Sequence, residues 1–232
     1  MKHKKLIIPL AIVLIAALAI GLTLAYFTDT KEVTNTFTMG DLEIDLTEDW
    51  DPDDGEDMVP GDTVVKEPVI TAVKNDSYVR VILTLVDKDA TPTAGVYPPI
   101  TNTTRINKIM STLFYDGTGT TIAAGTKYSA VTDWAAWAVA GSGIDTPYNK
   151  TDFELASSGG GVFVFYYKGG AAPNPYIFTE GTAATLFTHV VIPTEWTQTD
   201  LRLLGKYDIN IRAEAIQAAG FVSHVDAFAA LP

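Results

Sequence analysis

The chain has 232 residues, with 16 Lys and Arg against 28 Asp and Glu, a formal net charge of -12 and no cysteine. Without cysteine there is no disulfide framework, no thiolate metal ligand and no cysteine nucleophile, so stability must come from the core. The acidic balance disfavours nucleic acid and anionic membrane surfaces as partners and favours solubility or association with divalent cations.

Residues 1–5 carry three lysines, residues 6–25 are almost wholly apolar, and Thr23 and Ala25 stand three and one positions before Tyr26. A charged start, an apolar run and small residues at those two positions make a secretory signal, with cleavage between Ala25 and Tyr26. The apolar run is also long enough to span a bilayer, so a retained N-terminal anchor is the alternative. Either way the rest is exported, and loss of Lys2, Lys4 and Lys5 leaves 13 basic against 28 acidic residues, a net charge of -15. The roughly 207 remaining residues contain no low-complexity linker and read as one domain.

Residues 26–39 are rich in Thr, Val and Phe and read as a strand with Val33, Phe37 and Met39 on one face. Residues 41–46 alternate, with Leu42, Ile44 and Leu46 inward and Asp41, Glu43 and Asp45 outward, a half-buried strand. Residues 48–57 then hold seven carboxylates. The spacing of Asp49, Asp51 and Asp53, with Asp54 and Asp57 close by, resembles a calcium loop, but glycine stands at the seventh position of that register and Pro60 where the closing glutamate belongs. A solvated acidic loop is the favoured reading and calcium binding the alternative; no other cofactor is indicated.

Pro60-Gly61-Asp62 is a turn signature, and residues 63–73 and 78–86 are expected to form a hairpin around Lys74-Asn75-Asp76-Ser77. In the second strand Val79, Val81, Leu83 and Leu85 share one face, and Tyr78, Arg80, Ile82 and Thr84 the other. Residues 87–108 read as irregular, 109–115 as a strand and 116–120 as a turn. Asp133 is placed to cap a short helix over 134–140, whose Trp134 and Trp137 read as core anchors before they read as a sugar platform. Gly159-Gly160-Gly161 lacks the lysine and helix of a phosphate loop and precedes a strand over 162–168.

Residues 186–192 are expected to form a strand ended by Pro193, followed by a helical turn after Thr199. A long strand over 206–218 carries Tyr207, Ile209, Ile211, Ala213 and Ala215 inward. The apolar parity changes at Ile216, which points to a bulge near Ala215. No H-E-x-x-H, G-x-S-x-G or assignable acid and base pair is present, and His189 and His224 sit in no metal-ligand spacing. His189, on a strand beside Phe187 and Val191, reads as structural. The sequons at Asn75, Asn102 and Asn149 are of a kind that Thr-rich chains contain by chance.

Ala25-Tyr26-Phe27-Thr28-Asp29 after the apolar run, then Asn35-Thr36-Phe37-Thr38-Met39-Gly40-Asp41-Leu42-Glu43-Ile44, resemble the TasA/camelysin family of secreted biofilm-matrix fibre proteins. Pro60-Gly61-Asp62, Tyr78-Val79-Arg80-Val81, Leu186-Phe187-Thr188, Val191-Ile192-Pro193 and Ala213-Glu214-Ala215-Ile216-Gln217-Ala218 extend the resemblance in order along nearly the whole chain, with a departure at Ala72-Val73-Lys74. It implies an all-β, jelly-roll-like β-sandwich with one or two short helices, export through a dedicated signal peptidase, and assembly into extracellular fibres. The partners it implies are other copies of the chain, minor fibre or anchor proteins and the signal peptidase.

Some members are labelled metallopeptidases, but the missing zinc motif argues against carrying that activity over. A β-prone segment short on charge at residues 26–40 is suited to completing a neighbour's sheet, a contact that repeats head to tail without closing. Tyr26, Phe27, Val33, Asn35, Phe37 and Met39 are its interface residues under this reading. A monomeric surface or adhesive module is the second reading, and a secreted camelysin-like peptidase the third.

Overall fold

The computed structural model describes residues 42–51, 55–117 and 147–231. All belong to the larger of the two units into which the chain divides, Gly40–Pro232.

The described chain is an all-β sandwich carrying three short helices. One layer is a five-stranded antiparallel sheet ordered β11 (Tyr207–Gln217), β4 (Ser77–Asp87), β7 (Val162–Tyr167) and β6 (Phe153–Gly159), with β8 (Ile177–Phe178) pairing the start of β4. The other layer holds two three-stranded sheets. Their orders are β1 (Glu43–Asp49), β3 (Glu67–Lys74), β9 (Ala183–Thr185), and β2 (Thr63–Val65), β10 (His189–Val191), β5 (Leu113–Phe114). One apolar cluster joins all three sheets: Ile70 from β3, Leu113 from β5, Val190 from β10, Val81 and Leu83 from β4, and Phe165 from β7 are all buried in it. Period-two alternation puts them there, because alternate side chains of each strand reach the same face.

β4 follows the expected pattern, with Val79, Val81, Leu83 and Leu85 fully buried. β1 does too, since Ile44 and Leu46 pack on the core while Glu43 and Asp45 are exposed. The expected hairpin does not form. β3 pairs with β1 and β9, whereas β4 pairs with β11 and β7, so residues 74–77 cross from one layer to the other. Ile70 and Ala72 face Val79 and Val81 across the core instead of lying beside them in one sheet. The crossing is fixed by Asn75 at φ 63, whose N–H donates to the Glu180 carboxylate at 3.0 Å, and by Asp76, whose carboxylate accepts the Glu180 N–H at 3.1 Å.

Residues 63–73 are two strands, not one. The break falls at Lys66, 5% exposed, whose ammonium reaches Glu48 at 2.8 Å and lies 4.7 Å from the Trp50 ring centre. Of residues 186–192 only His189–Val191 form a strand, β10; β9 ends before them, at Thr185, in the other sheet of that layer.

Helix α1 (Thr103–Met110) occupies the region expected to be irregular and the start of the expected strand, leaving β5 only two residues. Asn102 caps it by accepting the Arg105 N–H at 3.0 Å, and Ile106, Ile109 and Met110 meet the core at helical spacing. Helix α2 (Gln198–Leu204) begins one residue before Thr199, with a capping box between Thr197 and Asp200. Strand β6, absent from the sequence reading, forms a hairpin with β7 through Gly160 and Gly161, both at positive φ, 54° and 74°.

β11 carries no bulge. It pairs one to one with β4 from Tyr207 opposite Asp87 to Gln217 opposite Ser77. The parity change at Ile216 has a different cause: Ile216 packs on the outer face of the sheet, in a second cluster built around Tyr78, Ala227 and Phe228. A third helix, α3 (His224–Ala229), supplies that cover, with Ser223 accepting the Asp226 N–H at its start. No sequence expectation covered α3.

Candidate functional site

The two sides of β4 differ. Along its whole length it pairs with β11, but among the described residues nothing pairs with the far side of β11. The inward side chains of β4 are fully buried, whereas Tyr207, Ile209, Ile211, Ala213 and Ala215 of β11 are only half-buried. Among the described residues the core is therefore closed over β4 and open over β11. β11 is also long and regular, at 11 residues. The opposite edge, β6, is interrupted by a register shift at Leu155/Ser157 and ends in exposed Ser157, Ser158 and Gly159. Irregular, short or charged edges resist strand addition, and β11 has none of these defences on its inner face.

β1, the edge of the facing sheet, approaches β11 on this open side. Between them lies a groove of about 840 Å³. Its floor includes Trp50, Met58, Val190, Ile192, Leu201 and Ile209, and its rim carries the ion pairs Lys66 to Glu48 and Lys88 to Asp208, at 2.8 and 3.2 Å. An apolar floor with paired charges at the rim accepts apolar side chains without leaving an uncompensated charge.

The end of β11 at this groove is held by an arginine. Arg105 of α1 donates from Nε to the Leu204 carbonyl at 2.5 Å and from Nη2 to the Lys206 carbonyl at 2.9 Å, while Nη1 reaches Asp87 at 2.9 Å and Nη2 reaches Asp89 at 3.4 Å. It thus ties α1, the end of β4 and the turn into β11 at one point. Gly205 makes the approach possible, for a Cβ there would meet both Asp89 and Arg105 and its φ is 59°. Nearby, burial of the Tyr207 phenol pushes its pKa up to about 12, against a hydrogen bond with Thr112 and the Arg105 charge, which pull it down. Lys108 of α1 reaches Asp200 of α2 at 2.6 Å, and with the Thr197 hydrogen bonds this holds the Asp200 carboxyl well below the usual carboxylate range.

The residues expected at signal cleavage, Thr23, Ala25 and Tyr26, lie outside the described residues. So do Phe27, Val33, Asn35, Phe37 and Met39 of the expected polymerisation segment, Trp134 and Trp137, and Asp53 and Asp54 of the acidic loop. Asp49 ends β1 opposite Glu67, and Asp57 adopts φ 53. Among the described residues no three His, Asp or Glu side chains converge in metal-ligand geometry. His189 sits on β10 with Nδ1 2.8 Å from the Thr188 hydroxyl, and burial lowers its pKa against the opposing charges of Asp116 and Glu67. Nor is any helix among the described residues long and apolar enough to cross a membrane.

The sequence reading named the inward face of β11 but not its edge position, which depends on sheet order. Parity at Ile216 was the one available signal that another element covers the sheet's outer face.

No curated protein matches the chain. The model of a family described as camelysin metallo-endopeptidase matches residues 2–83, a stretch that runs from the apolar N-terminus through β1, β2, β3 and most of β4. That stretch, about a third of the chain, holds the first motifs quoted above, and the match is consistent with their resemblance to the TasA/camelysin family.

Proposed function

We propose that this protein is an exported structural subunit that polymerises into extracellular fibres, each copy adding the segment 26–40 as a strand to the free edge of β11 in the next. The open side of the sandwich at β11 carries this reading: an 11-residue regular edge whose inward side chains are half-buried beside an apolar groove. Strand addition supplies main-chain hydrogen bonds for affinity and alternate side chains for specificity. Val33, Phe37 and Phe27 are the anchors of the added strand, as its large apolar residues at odd positions. Export rests on the N-terminal pattern, with cleavage before Tyr26.

The test is electron microscopy and sedimentation of the mature protein beginning at Tyr26, alongside a variant lacking residues 26–34 and a Phe37→Ala variant. Burying a Phe contributes about 1.5 to 3 kcal/mol, so its loss at every subunit contact is expected to abolish fibres while circular dichroism stays native. Fibres from the truncated chain would overturn strand addition. Unfolding of both variants would assign the segment to its own subunit's core and favour a monomeric surface module.

A further inference from the structure

The outer face of the five-stranded sheet is apolar at one end, where Tyr78, Tyr166, Tyr176 and Ile177 meet the C-terminal residues 218–231. Tyr78 is only 2% exposed because this segment lies over it. The Ala218 N–H donates to the Asp76 carbonyl at 3.1 Å, which anchors the start of the segment to the body. Beyond it, the backbone hydrogen bonds of the segment run within itself, from Phe221 to Ala218, Ala227 to Ser223, Ala230 to Ala227 and Leu231 to Phe228. Its attachment to the sheet is therefore made by side chains. A six-residue helix has no stability of its own, so α3 exists only while those contacts hold.

Two rings lead these contacts, with Ala227, Phe221 and Leu231 in the apolar cluster around Tyr78. His224 stacks on Tyr176 with ring centres 3.7 Å apart and planes at 16°, and meets Tyr166 edge-on at 4.8 Å. Phe228 stacks on Tyr166 at 5.5 Å and takes the Arg80 guanidinium on its ring at 4.7 Å. On the far side the segment offers Val222 and Val225 to solvent, 92% and 54% exposed.

We propose that residues 219–231 form a strap that neutral His224 holds closed on the tyrosine face and that opens on mild acidification, uncovering Tyr78, Tyr166 and Tyr176. The charged groups around the ring are few. Glu154 of β6 accepts the Tyr176 hydroxyl at 3.0 Å, Asp226 lies on α3 itself, and Arg80 of β4 is held by Glu214 of β11. Glu154 and Asp226 favour the imidazolium, but desolvation between the rings outweighs them and lowers the His224 pKa. The docked strap thus binds its proton more weakly than the released one. Docking is at full strength above the ordinary histidine pKa of 6.5 and weakens as the pH falls below it.

Hydrogen exchange of the whole mature chain, corrected for the intrinsic rate, tests this at about pH 7.5 and about pH 5.5, either side of the histidine titration. Protection of residues 224–231 is expected to fall several-fold at the lower pH while β4 and β7 keep theirs. His224→Phe, which retains a stacking ring and cannot titrate, is expected to abolish the pH response, and His224→Leu to abolish it at lower protection throughout. Protection of 224–231 that ignores pH in the native chain overturns the strap, as does an equal fall in His224→Phe. Loss of protection in β4 and β7 together with the segment also overturns it, since the segment would then be no separate unit.

Discussion

Arg105 and Asp87, 18 positions apart in the chain, meet at 2.9 Å in a pocket where the arginine side chain is 11% exposed. The guanidinium also satisfies the Leu204 and Lys206 carbonyls, so one residue closes the joint between α1, β4, α2 and β11. Arg105→Ala removes the Leu204 carbonyl's partner and the cation beside Asp87 and Asp89, while the Lys206 carbonyl keeps the Lys88 N–H. It is expected to cost about 3 kcal/mol, the low end for breaking a buried pair because Asp87 keeps some water.

The same pair sets an acid limb. Burial pushes the Asp87 carboxyl up, but the Arg105 hydrogen bond and charge and the N–H groups of Asp89 and Ala90 pull harder, leaving it below its ordinary 3.8. A depressed carboxylate adds stability that is present above its unfolded pKa and lost as the pH falls through the folded one. Urea denaturation from pH 5 down to about pH 2 is expected to show this loss in the native chain and a flatter profile in Arg105→Ala. Parallel profiles would mean that the pair contributes nothing to the acid limb.

Gly160 and Gly161 sit together in the β6 to β7 turn, both at positive φ, yet their surroundings differ. A Cβ on Gly160 meets nothing within 4 Å, whereas on Gly161 it falls 2.5 Å from the Ile100 carbonyl oxygen. Gly160→Ala is expected to cost about 1 to 2 kcal/mol, the left-handed penalty alone. Gly161→Ala must also displace backbone, since Gly161 accepts the Leu85 N–H and Leu85 accepts that of Ile100, and is expected to cost clearly more. Equal shifts in the urea midpoint would show that the Ile100 segment yields freely.

Much of this sandwich is legible in sequence where a strand has one buried face. β1 and β11 announce themselves by alternation because their outward polar residues stay in water. β4, buried at Tyr78 and Val86 on its second face as well, reads as a strand by its apolar, β-branched run. The partners of a strand are not legible in this way. Lys74-Asn75-Asp76-Ser77 has turn chemistry whether it closes a hairpin or crosses between layers, and only the pairing of β3 with β1 and β9 decides. Lys66 falls inside the strand expected over 63–73, yet the strand breaks there, with the lysine stem buried and its charge matched by Glu48. Helix α1 has its sequence signals in Asn102 and the spacing of Ile106, Ile109 and Met110, and the strand expected over 109–115 begins inside its last turn. β6 lacks alternation because its register shifts between Leu155 and Ser157.

Asn149 stands in a sequon, and the fold decides its fate. It is 2% exposed, its amide donates to Asp152 at 2.7 Å and to the Thr185 carbonyl at 3.2 Å, and its carbonyl oxygen accepts the Thr151 and Asp152 N–H groups. A glycan on that nitrogen has no room. Mass spectrometry of folded protein from a glycosylating host is expected to find Asn149 bare. Asn149→Ala is expected to destabilise by about 1 to 3 kcal/mol through the groups it leaves unpaired. A glycosylated, natively folded chain at Asn149 would contradict this placement.

The two isoleucines Ile211 and Ile216 lie on one strand and face opposite ways. Ile211 is half-buried over the core on the open side, while Ile216 packs under the C-terminal segment. Full truncation of a buried Ile to Ala costs about 2 to 5 kcal/mol, and half burial puts both variants near the bottom of that range. Their monomer stabilities are therefore expected to fall alike. Assembly is expected to separate them, because a strand added along β11 would cover Ile211 and leave Ile216 where it is. Ile211→Ala is expected to lengthen the lag and lower the yield of fibres in a sedimentation assay. Ile216→Ala is expected to assemble as the native chain does and to lose protection only in residues 224–231. If the two variants assemble equally well, the edge of β11 is not the acceptor, and the added strand must find another edge of the sandwich.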